Sequence, residues 1–159
     1  MFEKEGIQIG GLDYSNRLIG IAARVLREPR ELICEEAVNL RCELKYDAVF
    51  SEGVFHYFES YEYAEKVMRA MYNKANQVIG VFDVLDKEKE EEFTQFRKEL
   101  CEDYEEKYRE LPKLFYKKSF FQEFAQKHDM SIEFMENYMN QYWNNNFTFG
   151  CVMRKNKKN

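Results

Sequence analysis

The chain has 159 residues, 45% hydrophobic and 33% charged, with only seven Gly and two Pro, which excludes collagen-like, low-complexity and wholly disordered classes. Its net charge of -5 argues against a nucleic-acid surface, and its one basic cluster, residues 154–158, reads as a solvated chain end. No apolar run approaches the ~20 residues of a bilayer span and the N-terminus lacks a signal peptide's basic and apolar regions, so a soluble, cytoplasmic, single-domain protein without nucleic-acid or membrane partners is expected.

Residues 7–13 read as a short strand ending on Asp13. Ser15 is placed to cap a helix, and Leu18, Ile19, Ala22, Val25 and Leu26 follow at helical spacing until Pro29 stops them. A weaker strand centres on Leu32, Ile33 and Cys34. Residues 46–50 form a compact apolar run closed by Ser51, Glu52 and Gly53, a buried strand followed by a loop. Tyr61, Ala64, Val67, Met68, Met71 and Ala75 make a helical stripe, and residues 77–85 are the strongest strand. Their nearly continuous apolar character suits a central parallel strand covered on both faces. Strands and helices alternating at this pace predict an α/β fold with a mostly parallel, Rossmann-like sheet and helices on both faces.

Residues 87–110 carry ten acidic and six basic side chains, yet Phe93, Phe96, Leu100, Tyr104, Tyr108 and Leu111 recur every three or four positions. This predicts one long amphipathic helix over 87–111, broken at Pro112, whose aromatic face either packs on the domain or covers a substrate cavity. Phe120, Phe121, Phe124 and Ala125 mark a short helix ending near His128. Residues 131–136 and 147–155 read as two strands joined by the polar loop 137–146, a closing antiparallel hairpin.

Ligands of open α/β sheets bind outside the carboxyl ends of the strands, where the loops converge. Asp13 stands at one such end, as an acceptor for ribose hydroxyls or, equally, as a turn or capping carboxylate. Glu36 and Ala37 follow the second strand, where a carboxylate and a backbone N–H suit an adenine or simply face solvent. Ser51, Gly53, His56 and Tyr57 follow the third, and His56 is either a proton-transfer group or a structural histidine. Cys34, Cys42, Cys101 and Cys151 include no C-x-x-C, and His56 and His128 are far apart, so no metal site is expected and the cysteines read as reduced, mostly buried thiols.

In this order the pieces resemble the class I S-adenosylmethionine-dependent methyltransferases. The resemblance is carried by residues 11–15 with 18–24, by residues 45–58, by the helix around Tyr63 to Met68, by residues 78–83 and by residues 114–118 with the last two strands. It implies S-adenosylmethionine as cofactor, with Asp13 on the ribose hydroxyls, Tyr14 packed nearby, Glu36 and Ala37 at the adenine, and Ser51 and Gly53 lining the site. It further implies a methyl acceptor with His56 and Tyr57 facing it, His56 as candidate base, and the aromatic helix 87–111 with Tyr116 as its roof; the acidic net charge and that aromatic roof point to a small-molecule acceptor. Residues 1–155 would form one incomplete domain, with 87–128 a helical cover before the last two strands and 156–159 a basic tail.

The family's first strand and glycine-rich loop should precede Gly6, and the chain offers nothing there to supply them. That strand belongs between the strands ending at Asp13 and Ser51, so unpaired edges are expected in mid-sheet: either the chain is a fragment of a longer protein, or a second copy, a partner chain, a swapped element or a rearranged sheet fills the gap. A degenerate, non-catalytic interaction module is the alternative reading. A nicotinamide-dependent dehydrogenase ranks behind both, because its usual sheet lacks the closing hairpin.

Overall fold

The computed structural model describes residues 2–109, 113–136 and 142–156. Leu111 and Pro112, positions 137–141 of the polar loop, and residues 157–159 of the basic tail lie outside the described residues.

Strand β1 (Gly10–Asp13) leads into helix α1 (Asn16–Val25), which returns the chain to a parallel strand β2 (Glu31–Cys34). Ser15 caps α1 as predicted: its hydroxyl accepts from Leu18 N at 3.4 Å, satisfying one of the free first-turn donors. Strand β3 (Tyr46–Glu52), helix α2 (Tyr61–Lys74) and strand β4 (Ala75–Leu85) form a second parallel unit. Ser60 caps α2 by accepting from Tyr63 N at 3.1 Å. Helices α3 (Glu90–Leu100), α4 (Tyr104–Tyr108) and α5 (Lys118–Lys127) precede β5 (Met130–Glu136) and β6 (Thr148–Lys155), an antiparallel pair with β6 inserted beside β4.

The core sits on the β3-β4-β6-β5 sheet. Ala64, Val67, Met68 and Met71 of α2 pack against Ile79, Val81 and Val84 of β4 and Phe149, Cys151 and Met153 of β6, joined by Phe121, Phe124 and Ala125 of α5. The period-3.6 stripes on the helices and the near-continuous apolar run on β4 therefore meet in one layer. A smaller cluster, Leu85, Phe93, Phe115 and Phe147, anchors α3 at the carboxyl end of β4.

Strands β1 and β2 form a separate two-stranded sheet, so the expected continuous sheet is interrupted between β1 and β3. The two sheets touch near their amino ends: the Tyr46 side chain reaches across until its hydroxyl abuts Gly10, Arg30 lies 5.1 Å from the Tyr46 ring, and Lys74 pairs with Glu31 at 2.5 Å. A Cβ on Gly10 would overlap the Tyr46 hydroxyl, so glycine is required there by close approach. Helix α1 buries none of its residues, and Leu18, Val25 and Phe50 remain exposed around the interruption.

Three expectations are corrected. The helix over 87–111 is broken near Cys101: α3 ends at Leu100 and α4 starts at Tyr104. Tyr116 is not a roof residue; it is fully buried, its hydroxyl donating to Phe55 O at 2.9 Å, and burial pushes its phenol pKa well up. The cysteines are free thiols, but only Cys151 is buried; Cys34 is exposed and Cys42 and Cys101 lie between. Burial raises the Cys151 thiol to about 12, which makes it inert.

Candidate functional site

The site grows from the carboxyl ends of β3 and β4. Gly53 follows β3 with φ 63, a left-handed conformation that favours glycine, and its N–H donates to Phe82 O at 3.1 Å. On β4 the register slips between Val81 and Val84, a bulge at which Asp83 adopts φ 55. The Asp83 carboxylate accepts from the Tyr142 hydroxyl at 2.9 Å and from Asn144 Nδ2 at 3.2 Å, joining β4 to the segment before β6.

His56 sits in a short 3-10 turn, Phe55–Tyr57, anchored by the fully buried Phe55. It is only 8% exposed, its ring lies 4.2 Å from that of Tyr57, and its Nδ1 faces Asp83 O at 3.4 Å. A carbonyl accepts only, so this contact favours the tautomer with the proton on Nδ1 and leaves Nε2 as the basic nitrogen. Burial first, then the nearby Lys113 ammonium, hold the His56 pKa below its ordinary value, so the imidazole is neutral at pH 7.

These residues line one side of a cavity of about 260 Å³; the other side is Phe93 and Arg97 of α3, Tyr104 and Tyr108 of α4, Lys113, and Trp143. The aromatic helical face packs on the domain, through Phe93 in the smaller cluster, and also borders this cavity.

Of the predicted site residues, Gly53, His56 and Tyr57 share this cavity. Asp13, Tyr14, Glu36 and Ala37 lie at the carboxyl ends of β1 and β2, on the other sheet. One Asp13 oxygen accepts from Ser15 N at 2.7 Å, and Tyr14 is 78% exposed. Glu36 Oε2 accepts from the Tyr63 hydroxyl at 3.1 Å, and Ala37 packs on the core. Ser51 stays within β3, opposite Val81. Sequence reasoning missed Asp83, Arg97, Lys113, Tyr142 and Asn144. Asp83 carried the same signal as Asp13, a carboxylate near the end of an apolar strand, whereas Arg97 was one cation among many in a charged helix.

Among the described residues no group of His, Cys, Asp and Glu is placed to hold a metal ion, and no helix is long and apolar enough to cross a membrane. No protein-family profile matches the chain, and no curated protein matches it. Solved structures do. Magnesium protoporphyrin IX methyltransferase from Synechocystis PCC 6803, with bound SAH, superposes with a TM-score of 0.68 at 15% identity over 96% of this chain and 66% of that one. The chain has the fold of class I S-adenosylmethionine-dependent methyltransferases. A methyltransferase from Clostridium acetobutylicum gives 0.65 at 12% identity, covering 94% of this chain and 76% of that one. The N-methyltransferase NodS from Bradyrhizobium japonicum gives 0.63 at 9%, covering 94% and 74%. The chain spans 62–66% of the length of the magnesium protoporphyrin enzyme's two structures.

Proposed function

We propose that the chain is part of an S-adenosylmethionine-dependent methyltransferase that alkylates a small molecule in the cavity beside His56. The observation that carries this reading is a cavity opening beside Gly53 at the carboxyl ends of β3 and β4, the end at which α/β sheets bind ligands. Several solved structures of similar fold hold SAM or SAH.

The residues present fit such a cofactor in part. Asp13 keeps one carboxylate oxygen without a partner among the described residues, as ribose hydroxyls require, and Gly53 brings bare backbone to the cavity. Tyr14 would pack nearby, Glu36 and Ala37 would meet the adenine, and Ser51 would border the site with Gly53. The reading also includes an element between β1 and β3, a strand from a second copy or a partner chain, to close the site.

Bound there, the cofactor supplies a methyl group on a sulfonium. In a transfer of that methyl group the acceptor's lone pair would form the new bond to carbon and the carbon–sulfur pair would stay on sulfur, so the protein's task would be alignment. Tyr57 holds the acceptor side. Where the acceptor carries a proton, His56 Nε2 takes it, being neutral and fixed by the Nδ1 contact to Asp83 O.

Saturation-transfer NMR with S-adenosylhomocysteine tests the reading. Transfer to the adenine and ribose protons is expected with the natural chain and is lost in Asp13→Ala; an equal signal in Asp13→Ala contradicts the proposed cofactor site.

A further inference from the structure

The cavity's charge is unbalanced in a way that specifies its ligand. Arg97 lies 5.4 Å from the Tyr104 ring and 5.5 Å from those of Tyr108 and Trp143, and it donates one hydrogen bond, to the Tyr108 hydroxyl at 3.4 Å. Lys113 Nζ lies 3.3 Å from the centroid of the Tyr57 ring. Among the described residues neither cation has a carboxylate partner, although the chain as a whole is acidic by five charges. Asp83 is the acidic side chain of the cavity, and its two oxygens are taken by Tyr142 and Asn144.

With His56 neutral, Arg97 and Lys113 against Asp83 leave the cavity one positive charge in excess. Guanidinium N–H groups not used on Tyr108 form a fork suited to a carboxylate. The rings around them offer flat apolar surface to a planar skeleton. A volume of about 260 Å³ is just below the usual range for drug-sized ligands, which suits a single ring.

We infer that the acceptor is a small planar monocarboxylic acid, its carboxylate held by Arg97 and Lys113 and its ring set among Tyr57, Tyr104 and Trp143. This deepens the methyltransferase reading and rests on it for the word acceptor, but the binding is a separate property. A phosphate dianion would overcompensate the single excess charge, so the carboxylate is favoured.

The test titrates the full chain with benzoate and with benzamide, its uncharged counterpart, following amide NMR shifts without cofactor. Benzoate is expected to bind and benzamide at least about tenfold more weakly. Arg97→Gln is expected to weaken benzoate by about tenfold or more in a chain that still folds cooperatively, with a melting temperature lowered only by the lost ring contacts. Lys113→Gln, the second variant, should weaken it too and flatten its salt dependence. Equal binding of the two ligands, no benzoate binding, or unchanged affinity in both variants overturns the inference. Failure of S-adenosylhomocysteine to bind while benzoate binds overturns the methyltransferase reading alone.

Discussion

Gly53 and Asp83 are built against each other: a Cβ on Gly53 would stand 3.4 Å from Asp83 Oδ2, and both residues adopt positive φ, 63 and 55. The loop after β3 and the bulge in β4 are thereby fixed as a pair, and the cavity opens beside them. Gly53→Ala is expected to lose roughly 1–2 kcal/mol from the left-handed conformation alone, measured by urea denaturation. An unchanged midpoint would mean that the loop relaxes freely and does not depend on this glycine.

Burial sets the pH behaviour of His56. Its folded pKa lies below 6.5, so the unfolded chain takes up the proton first as pH falls. The stability of the neutral, folded form is therefore complete above pH 6.5 and is lost as pH drops from there through the folded value. Denaturation at pH 7.5 and 5 should show a loss that is smaller in His56→Gln; part of the loss persists, because burial lowers His128 as well. An NMR titration placing His56 at or above 6.5 would contradict this.

Tyr116 is a core residue whose hydroxyl caps the Phe55 carbonyl. Tyr116→Phe should cost about 1–3 kcal/mol by leaving that buried carbonyl without its donor, and it should leave ligand affinity unchanged. Affinity falling with stability unchanged would return Tyr116 to the acceptor side.

The interruption between β1 and β3 predicts weak cofactor affinity. A site whose two halves stand on separate sheets must be ordered by the ligand itself, and that cost is subtracted from binding. Calorimetric titration of these 159 residues with S-adenosylmethionine is expected to give binding weaker than micromolar; micromolar binding would show that the two sheets already hold the site together.

Much of the fold was legible because its signals are local. Ser15 caps its helix by chemistry within three residues, and the apolar runs at 46–50 and 77–85 announce parallel strands, although only the second is buried; β3 buries none of its residues and leaves Phe50 exposed. What escaped was three-dimensional. The break near Cys101 interrupts an unbroken helical stripe, so periodicity alone could not place it. Tyr116 and the aromatics of 93–108 look alike in composition, and only the packing sends Tyr116 wholly to the core while Tyr104 and Tyr108 line the cavity. Arg97 and Lys113 meet across a cavity from separate segments, a proximity with no sequence spacing to betray it.

The central claim is that a cofactor surface at the ends of β1 and β2 meets an acceptor cavity at Gly53. Amide shift mapping on the labelled full chain during titration with S-adenosylhomocysteine tests it most directly. The account predicts shifts at Asp13 and Tyr14, at Glu36 and Ala37, and from Ser51 to His56. Shifts confined to α5 and β5, or none at all, would contradict it.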